Sequence, residues 1–375
     1  MLRTKVIKVS QGSLGDEELA AVREAFAYGY FGHAGKVVEF EAALRQYLGV
    51  EQVVATNTGT SALHLALEGL GIGEGDEVIV PSLTFVACFQ AIKMAGALPI
   101  ACDVDPETLL LDLRDVESRI TSRTRAIMPV HYGGSSCDMT ALRQLADRHD
   151  VFLVEDAAHA FGSTWRGQRV GTRGDIACFS FDSIKNITCG EGGAIACHDA
   201  DLAERLRRKR TLGIDRSAAP TPDGAPPSWQ FEVATGGFRY HMSNINAAIG
   251  LVQLARLDGF LARRREICRQ YDHAFADIAG VITRPVNYDE VAPHVYVVRV
   301  TDGRRDALMR HLKESGIETG INYVPNHLHP YFRQAGRPLP ETERAFAEIL
   351  TLPLHYGLTS SDVEEVIKRV REFFR

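Results

Sequence analysis

Between about residues 50 and 200, the apolar and polar residues alternate between two patterns, one typical of strands and one typical of helices. Short runs rich in apolar and β-branched residues predict buried strands, and the stretches between them have the spacing of helices. The predicted strands are Gln52–Thr56, Glu77–Val80, Leu98–Asp103, Arg125–Val130, Val151–Glu155 and Ile176–Phe181. The predicted helices are Ser61–Gly69, Ala87–Ala95, Met139–His149 and Asp201–Thr211. This alternation predicts an α/β fold whose mostly parallel sheet is covered by helices on both faces.

The rest of the chain predicts a second, smaller unit. Residues Ser217–Ser228 are rich in Pro, Ala and Gly, which is typical of an exposed loop. The remaining predicted elements are a long helix, a strand and a final helix, at Asn244–Ile278, Val295–Val300 and Ser361–Phe374. We therefore expect a large domain over residues 1–245 and a smaller α+β domain over residues 246–375, linked by the long helix. A chain of 375 residues is long enough for two such cores.

Charge and cysteine usage narrow the class of protein. The 42 Lys and Arg residues and 48 Asp and Glu residues leave a net charge of −6, which argues against a nucleic-acid binder. No apolar run approaches the roughly 18 residues of a membrane helix, and residues Met1–Lys5 lack the apolar core of a signal peptide. The seven cysteines have neither CxxC nor zinc-ligand spacing. We therefore expect a reduced, cytoplasmic protein that binds no metal and no membrane.

Two segments place polar residues at strand ends. In Thr56–Ser61 a strand ends, a glycine turns the chain and hydroxyl residues begin a helix, which suits a phosphate as well as an ordinary N-cap. In Val151–Ala160 a buried strand delivers Glu155 and Asp156 at its carboxyl end, where α/β sheets usually place ligands. Taken alone, the first segment is better explained by an ordinary N-cap, and for the second a helix-capping Asp is at least as good an explanation.

The third segment, Cys178–Ala194, holds Lys185 between an apolar strand and a glycine-rich turn. Burial is costly for a lysine and lowers its pKa, so that the nucleophilic neutral amine becomes available. Schiff-base lysines need such an environment, and glycines permit close approach of the backbone to a ligand. The alternative is an exposed loop lysine, which is the commonest fate of this residue type.

In this order, the three segments resemble the nucleotide-sugar aminotransferase family, the DegT/StrS-type branch of fold-type I enzymes that use pyridoxal 5′-phosphate (PLP). The resemblance extends over nearly the whole chain, because further segments match in register. These are Gly29–Gly32, Phe40–Glu41, Gly73–Phe85, Val130–Gly133 and Leu352–His355. The resemblance implies the fold-type I PLP-transferase architecture, PLP as cofactor, and a homodimer with shared active sites.

The resemblance also implies roles for individual residues. Lys185 matches the catalytic lysine that binds PLP as a Schiff base, and Asp156 matches the carboxylate that pairs with the pyridine nitrogen. A negative charge there favours the protonated ring, which is the better electron sink. Phe85 matches the aromatic residue that stacks on the ring, and His159 lies where many members carry Gln beside the cofactor's 3′-oxygen. The positions that match phosphate-binding residues are Thr60, Ser61 and Ser180.

One segment departs from the family pattern. Members usually carry Gly-Tyr-Asn-x-Arg-Met-Ser after the Pro-rich loop, and this Asn reaches the PLP phosphate of the neighbouring subunit. The chain instead has Gly-Phe-Arg-Tyr-His-Met-Ser at residues 237–243. Arg239 is expected to bind that phosphate across the interface with a charge-assisted contact. A contact to the nucleotide diphosphate and an ordinary surface position are the open alternatives.

The activity that the resemblance implies is transamination of a sugar. L-Glutamate is the expected donor, and the expected acceptor is a 4-keto-6-deoxyhexose linked to a nucleotide, with dTDP as the first choice. The segment Ser183–Gly193 is most similar to branches that aminate sugar carbon 4, and carbon 3 stays open. The residues expected in the sugar-nucleotide pocket are Tyr30, Phe31, His33 and His327. Such products serve cell-surface polysaccharides, including O-antigen and lipopolysaccharide, and antibiotic sugars.

Three other functions agree less well with the sequence. PLP-dependent sugar dehydratases on the same fold replace the Schiff-base lysine by histidine, whereas this chain has Lys185. A binding protein that kept only the fold would be expected to lose Lys185 or Asp156, and both are present. A Rossmann-type oxidoreductase needs GxGxxG directly after a strand, but the glycines of Gly71–Gly75 have another spacing and precede their strand.

Overall fold

The computed structural model of the chain describes residues 6–215, 231–333 and 337–375. The predicted loop Ser217–Ser228 lies outside the described residues. The strands are β1 Gln52–Thr56, β2 Glu77–Pro81, β3 Leu98–Cys102, β4 Thr124–Ile127, β5 Phe152–Asp156, β6 Thr164–Trp165, β7 Gln168–Arg169, β8 Ile176–Ser180, β9 Gly193–Cys197, β10 Ile214–Asp215, β11 Glu232–Val233, β12 Val281–Thr283, β13 Tyr296–Val300 and β14 Ile349–Leu352. The helices are α1 Asp16–Tyr28, α2 Gly35–Leu48, α3 Gly59–Gly69, α4 Val86–Met94, α5 Leu113–Arg119, α6 Met139–His149, α7 Ala200–Arg210, α8 Asn244–Phe275, α9 Arg305–Glu314, α10 Pro340–Glu348 and α11 Ser360–Phe374.

Seven strands form the large sheet in the order β1-β9-β8-β5-β4-β2-β3. All neighbouring pairs are parallel except those of β9, which runs antiparallel to both β1 and β8. β2, β5 and β8 are buried almost throughout, as expected for parallel strands between two helical layers. The mostly parallel α/β sheet predicted from the sequence is confirmed.

β9 is a strand that the sequence pattern did not predict. Its residues are mostly small and follow a glycine-rich turn, so they lack the β-branched character of the other strands. In the register of the sheet, Gly193 lies opposite Thr56 of β1 and opposite Ser180 of β8. A Cβ atom on Gly193 would lie 2.4 Å from the carbonyl oxygen of Thr58, so this close approach requires glycine. β9 therefore brings the ends of β1 and β8 together.

Helices cover both faces of the large sheet. α3, α4 and α7 cover one face, where Leu65, Ile92 and Leu206 belong to one buried cluster. α2 and the first half of α8 cover part of the other face through Leu44 and Leu257, and α5 and α6 cover the rest. Each fully buried aliphatic side chain of this size contributes about 1.5–3 kcal/mol, so burial against the two helical layers stabilises the sheet.

The C-terminal part of the chain forms a three-stranded antiparallel sheet in the order β12-β13-β14. α9, α11 and the second half of α8 pack beside it, with Leu308, Val366 and Tyr271 in the same buried cluster. The α+β character expected for this part is confirmed. The expected division between residues 245 and 246 falls within the first turn of α8 and stays a prediction.

The long helix α8 is shared between the two cores. Its start is capped by Ser243, whose hydroxyl accepts a hydrogen bond from the Asn246 N–H at 3.1 Å. By length and composition alone, α8 is apolar enough to cross a membrane, and it is the one helix in the described parts of the chain that meets this test. Leu257 packs in one core and Tyr271 in the other, so the apolar side chains of this helix contribute to both.

Candidate active site

The carboxyl ends of several parallel strands meet at one edge of the large sheet and border a cavity of about 460 Å³, here called the lysine cavity. Ligands of open α/β sheets usually bind at this edge. Most of the residues predicted for the cofactor site line the lysine cavity: Thr60, Phe85, Asp156, His159, Ser180 and Lys185. The sheet therefore brings together residues that four separate segments of the chain supply.

Lys185 lies in a tight turn after β8. Its backbone N–H donates to the carbonyl oxygen of Asp182 at 3.0 Å, and its side chain lines the lysine cavity. Burial lowers the pKa of the Lys185 amine, although the charges of Asp156 and Asp182 act in the opposite direction. Its Nζ atom lies 3.4 Å from Nε2 of His294. The cavity thus holds a primary amine that loses its charge at a lower pH than an ordinary lysine.

Asp156 is the last residue of β5, and its side chain is buried. Its Oδ1 accepts a hydrogen bond from the Ala158 N–H at 3.0 Å, and its Oδ2 accepts one from the Cys88 thiol at 2.8 Å. Burial and the charge of Asp156 raise the pKa of that thiol, so Cys88 stays protonated and can donate. These contacts fix the direction of a carboxylate that can pair with a cation in the cavity.

The N-terminus of α3 forms another part of the cavity wall, through Thr58, Gly59 and Thr60. Thr58 caps the helix, since its Oγ1 accepts a hydrogen bond from the Ser61 N–H at 3.0 Å. Ser61 is buried behind this cap and does not line the cavity itself. A Cβ atom on Gly59 would lie 2.7 Å from the Cβ of Ser180, so glycine brings the helix start close to Ser180. The N–H groups and dipole of this helix start favour an anion such as phosphate.

Ring side chains border the same cavity. Nε2 of His159 lies 2.8 Å from the Tyr323 hydroxyl, and Nδ1 of His159 accepts a hydrogen bond from the Gly133 N–H at 3.4 Å. Burial and the charge of Lys185 lower the pKa of His159 far below its ordinary value. His159 is therefore neutral, and its Nε2 carries the proton because Nδ1 accepts. Phe85 is exposed at the rim, with its ring centroid 5.5 Å from that of Tyr323.

The other carboxylate at the end of β5, Glu155, has its partners outside the cavity. Its Oε1 accepts hydrogen bonds from the N–H groups of Arg173 and Gly174 at 2.9 and 2.5 Å. Its Oε2 accepts one from the Gly171 N–H at 3.1 Å and lies 2.9 Å from Nε2 of His131. Burial by itself would raise the pKa of Glu155, but these hydrogen bonds outweigh it and the pKa is lowered. Glu155 therefore ties β5 to the loop before β8.

Replacing Glu155 by glutamine is expected to lower the free energy of unfolding by about 2–4 kcal/mol. The amide keeps one acceptor oxygen, so buried N–H groups lose their partner. Because the folded-state pKa of Glu155 is lowered, its contribution is complete above the ordinary glutamate pKa of about 4.3 and is lost as the pH falls further. The difference between parent and variant in urea unfolding should therefore shrink in acid. Glu117→Gln, in an exposed ion pair with Arg148, is the matched control, and an equal loss there would contradict the explanation.

A second cavity of about 680 Å³, here called the arginine cavity, contains Tyr30, His33 and Arg239. Three further arginines line it, Arg207, Arg208 and Arg210, and so does His241, whose pKa is lowered by burial and by the charges of Arg239 and Arg210. Arg210 lies 3.0 Å from Nε2 of His33, and burial together with this positive charge lowers the pKa of His33. Within one protomer, the arginine cavity and the lysine cavity have no lining residue in common among the described residues.

Phe31 and His327 lie outside the lysine cavity of the same protomer. Phe31 is exposed, and its ring centroid is 5.6 Å from that of Phe26. Nδ1 of His327 lies 2.7 Å from the hydroxyl of Ser82, and Nε2 lies 3.4 Å from Glu343. Their contacts with a substrate stay predictions, as does the role of Arg239 on a phosphate.

Some residues at the lysine cavity did not stand out in the sequence. Tyr323 lies four residues before His327, the one residue of this segment that was predicted to bind substrate. Cys88 fits the apolar pattern of a helix, so it gives no functional signal. His294 lies just before the apolar run of β13, and a histidine between apolar residues is often buried. This position was the one local signal in the sequence that His294 is a buried residue. Contact with Lys185 could not be read from it, because the two residues are 109 positions apart.

The functional groups of the lysine cavity are complementary to those of PLP. An amine of lowered pKa suits an aldehyde, an oriented carboxylate suits a protonated ring nitrogen, and an open helix start suits a phosphate. In the described parts of the chain, no group of three His, Cys, Asp or Glu side chains could hold a metal ion. The residues present therefore fit an organic, phosphorylated carbonyl compound.

Comparison with known proteins identifies the family. The chain matches the model of the DegT/DnrJ/EryC1/StrS aminotransferase family over residues 13–371. The aminotransferase TlmJ from Streptoalloteichus hindustanus is 40% identical, with a TM-score of 0.92 and 98% of each chain covered. The sugar aminotransferase CalS13 from Micromonospora echinospora is 35% identical, with a TM-score of 0.90 over 98% of this chain and 99% of that one. Spr1654 from Streptococcus pneumoniae, whose structure is known in a PLP-form and a PMP-form, is 29% identical; the PLP-form has a TM-score of 0.90, and 97% of each chain is covered.

The fold and these matches define a PLP-dependent transaminase. The chain belongs to the DegT/DnrJ/EryC1/StrS aminotransferase family, and it is a sugar aminotransferase. The family, the fold class, the enzyme class and the PLP cofactor predicted from the sequence are thereby confirmed. The match covers almost the entire chain, so the assignment applies to both the large sheet and the smaller C-terminal sheet.

Proposed function

We propose that this enzyme transfers the amino group of L-glutamate to carbon 4 of a nucleotide-linked 4-keto-6-deoxyhexose, with dTDP as the nucleotide. The observation that carries the proposal is the lysine cavity, in which the Lys185 amine, the Asp156 carboxylate and the start of α3 line one space. Support for carbon 4 comes from the similarity of Ser183–Gly193 to branches that aminate this carbon. Amination at carbon 3 is the alternative.

Different residues of the lysine cavity would bind different parts of PLP. Lys185 would bind the aldehyde carbon, and Asp156 would pair with the pyridine nitrogen. Phe85 would stack on the ring, and His159 would lie beside the 3′-oxygen. The groups of this cavity that would hold the phosphate are the start of α3, Thr60 and Ser180, whereas a phosphate contact of Ser61, which lies behind the Thr58 cap, rests on the resemblance alone. When bound, PLP supplies the electron sink that stabilises negative charge at the donor Cα and carries the amino group between substrates.

Lys185 is the proposed general base and acid. Its free amine takes the proton from Cα of the donor and delivers it to the carbon that then bears the amino group, and this requires a neutral amine. Burial lowers the pKa of Lys185 and so extends the pH range in which the amine is neutral. The rate of proton transfer should therefore rise with pH through this lowered pKa and level off above it.

The absorption spectrum of the purified protein tests the proposal. L-Glutamate should bleach the visible band of the lysine-bound cofactor, and the accepted keto-sugar nucleotide should restore it. The NMR spectrum of the product then shows which sugar carbon bears nitrogen. A band that glutamate leaves unchanged would exclude glutamate as the donor. Restoration by 3-keto sugars alone would move the amination to carbon 3.

We propose that the enzyme is a homodimer with shared active sites. Four exposed aromatic residues at the end of α1 and directly after it support an interface: Phe26, Tyr28, Tyr30 and Phe31. Tyr30 and Arg239 also line the arginine cavity, which is separate from the lysine cavity of the same protomer. We infer that the arginine cavity completes the partner's site, where Arg239 meets either the PLP phosphate or the nucleotide diphosphate.

Hybrid dimers of Lys185→Ala and Arg239→Glu protomers test this arrangement. Each variant alone should lose most of its activity. If Arg239 serves the partner's site, a hybrid dimer contains one site with Lys185 and Arg239 both intact, and a random mixture should recover about a quarter of the parent activity. If Arg239 serves its own protomer, no site is intact and the mixture stays inactive. Arg333→Glu, on the surface away from both cavities, is the matched control for the charge change.

Location and pathway follow as further parts of the proposal. All seven cysteines lie within the described residues and are buried and free, which supports a reducing, cytoplasmic environment. We propose that the product is a deoxyamino sugar for cell-surface polysaccharide such as O-antigen or lipopolysaccharide, with antibiotic sugars as the alternative. Genomic neighbours that encode glycosyltransferases for one or the other class of product would decide between them.

A further inference from the structure

His294 occupies a position that is held from two sides. Its backbone N–H donates to the carbonyl oxygen of Gly133 at 3.2 Å, and its own carbonyl oxygen accepts from Nη1 of Arg264 at 3.2 Å. Gly133 belongs to the loop after β4, and Arg264 lies near the middle of α8. The large sheet and the linking helix together therefore fix the place from which the imidazole of His294 extends.

The imidazole of His294 contacts the proposed catalytic lysine. Its Nε2 lies 3.4 Å from Nζ of Lys185, and its ring centroid is 4.4 Å from that of His159. The residue is 3% exposed, and Nδ1 is buried without a hydrogen-bond partner among the described residues. An unpaired buried nitrogen costs stability, so a histidine that served only as packing would be replaced favourably by an apolar residue of similar size.

The charges around this contact keep His294 neutral. Burial lowers its pKa far below the ordinary value, and the positive charges of Lys185 and Arg264 act in the same direction. The groups that favour a charged Lys185 instead are Asp156 at the end of β5 and Asp182 after β8. Lys185 thus has two kinds of polar neighbour, carboxylates that favour the ammonium and an imidazole that remains uncharged.

We propose that His294 is a positioning residue that holds the free amine of Lys185 in place for proton transfer. The inference rests on the proposed function, in which this amine is released from the cofactor during each half-reaction. A carboxylate partner would keep the released amine as ammonium, which cannot accept a proton. A neutral imidazole can bind the amine without charging it. Lys185 takes the proton from the donor Cα and gives it up again, and His294 neither gains nor loses one.

Two substitutions separate this role from packing. His294→Gln places an amide near the position of Nε2, whereas His294→Leu has a similar volume and no polar atom. In the glutamate half-reaction, the leucine variant should lower the maximal rate about 10- to 100-fold with little change in the half-saturating glutamate concentration. The glutamine variant should recover most of that loss. His149→Leu, an exposed histidine at the end of α6, controls for the loss of a histidine.

Three further readouts report on Lys185 itself. Deuterium at Cα of glutamate should slow the leucine variant more than the parent, because proton transfer then limits the rate. The pH at which the rate levels off should rise in the leucine variant, since Asp156 and Asp182 become the main partners of the amine. Without substrate, the leucine variant stripped of cofactor should capture added PLP more slowly than the parent at the same pH, as followed by growth of the visible band.

The outcomes are distinct from those that test the proposed function. If glutamate fails to bleach the parent enzyme, the proposed donor is wrong, and the PLP-capture rates still decide the role of His294. An isotope effect, pH profile and capture rate that match the parent in His294→Leu would overturn the inference, and so would a glutamine variant no better than leucine. If circular dichroism shows that the leucine variant is unfolded, His294→Asn takes its place. The asparagine amide lies near Nδ1 and should not rescue the loss.

Discussion

Replacing Lys185 by alanine is expected to reduce transamination by about 10³- to 10⁴-fold or more, because proton transfer loses its base and acid. The variant should also lack the visible band of the lysine-bound cofactor, since Lys185 is the one lysine among the described residues that line the lysine cavity. The physical reason is the combination of burial and position: the amine lines a cavity with Asp156 and has a lowered pKa. Stopped-flow absorbance with glutamate measures the rate, and a static spectrum reports the bond to the cofactor.

Two controls make this result specific. Lys313→Ala removes an exposed lysine of α9 and should leave both the band and the rate unchanged. Addition of a small primary amine to Lys185→Ala should restore part of the proton-transfer rate, because a free amine can enter the cavity and act as base. A Lys185→Ala enzyme with a normal visible band and near-normal turnover would show that another lysine binds the cofactor.

Replacing Asp156 by asparagine is expected to retain PLP but to lower turnover by about 10³-fold. An ion pair in a partly buried site is worth about 4 kcal/mol, and a barrier raised by that amount slows a reaction by about this factor. Asparagine has nearly the same shape, and its carbonyl oxygen can still accept from the Cys88 thiol or the Ala158 N–H. The ring nitrogen of bound PLP should therefore lose its proton, and the electron sink becomes weaker.

The measurement combines steady-state kinetics with the cofactor content of the purified variant. Asp182→Asn is the matched control, because it removes another carboxylate of the same cavity that is placed in the lysine turn rather than at the end of β5. Its loss should be much smaller. Near-normal turnover of Asp156→Asn would overturn the assignment, whereas loss of bound PLP would show that the charge is needed mainly for binding.

Much of the fold follows from local pattern. β2 and β5 begin and end within one residue of their predicted positions, because buried parallel strands are continuous apolar runs with polar residues at their ends. β9 was missed for the opposite reason, since its small residues resemble the turn that precedes them. α1 and α2 were also not predicted, although both pack against α8.

Some features of the candidate site were likewise predicted from the sequence, and others were not. Lys185 and Asp156 were singled out in the sequence because each places a charge beside an apolar strand, and the resemblance to the family then implied their roles. Tyr30, His33 and Arg239 were found by resemblance, but their separation from the lysine cavity was not foreseen. That separation arises from the packing of the segment before α2 against α7, which no local pattern reports.

The sequence by itself determined the family, the α/β architecture, the cofactor and the pair of residues proposed for the central chemistry. These depend on motifs whose residues lie close together in the chain and have local physical consequences. Only the tertiary structure decided the neighbours of those residues: the thiol of Cys88 on Asp156, the imidazole of His294 on Lys185 and the two separate cavities. Such contacts join distant segments, and their geometry is set by how β-sheet and helices pack, so it becomes visible only when the chain is folded.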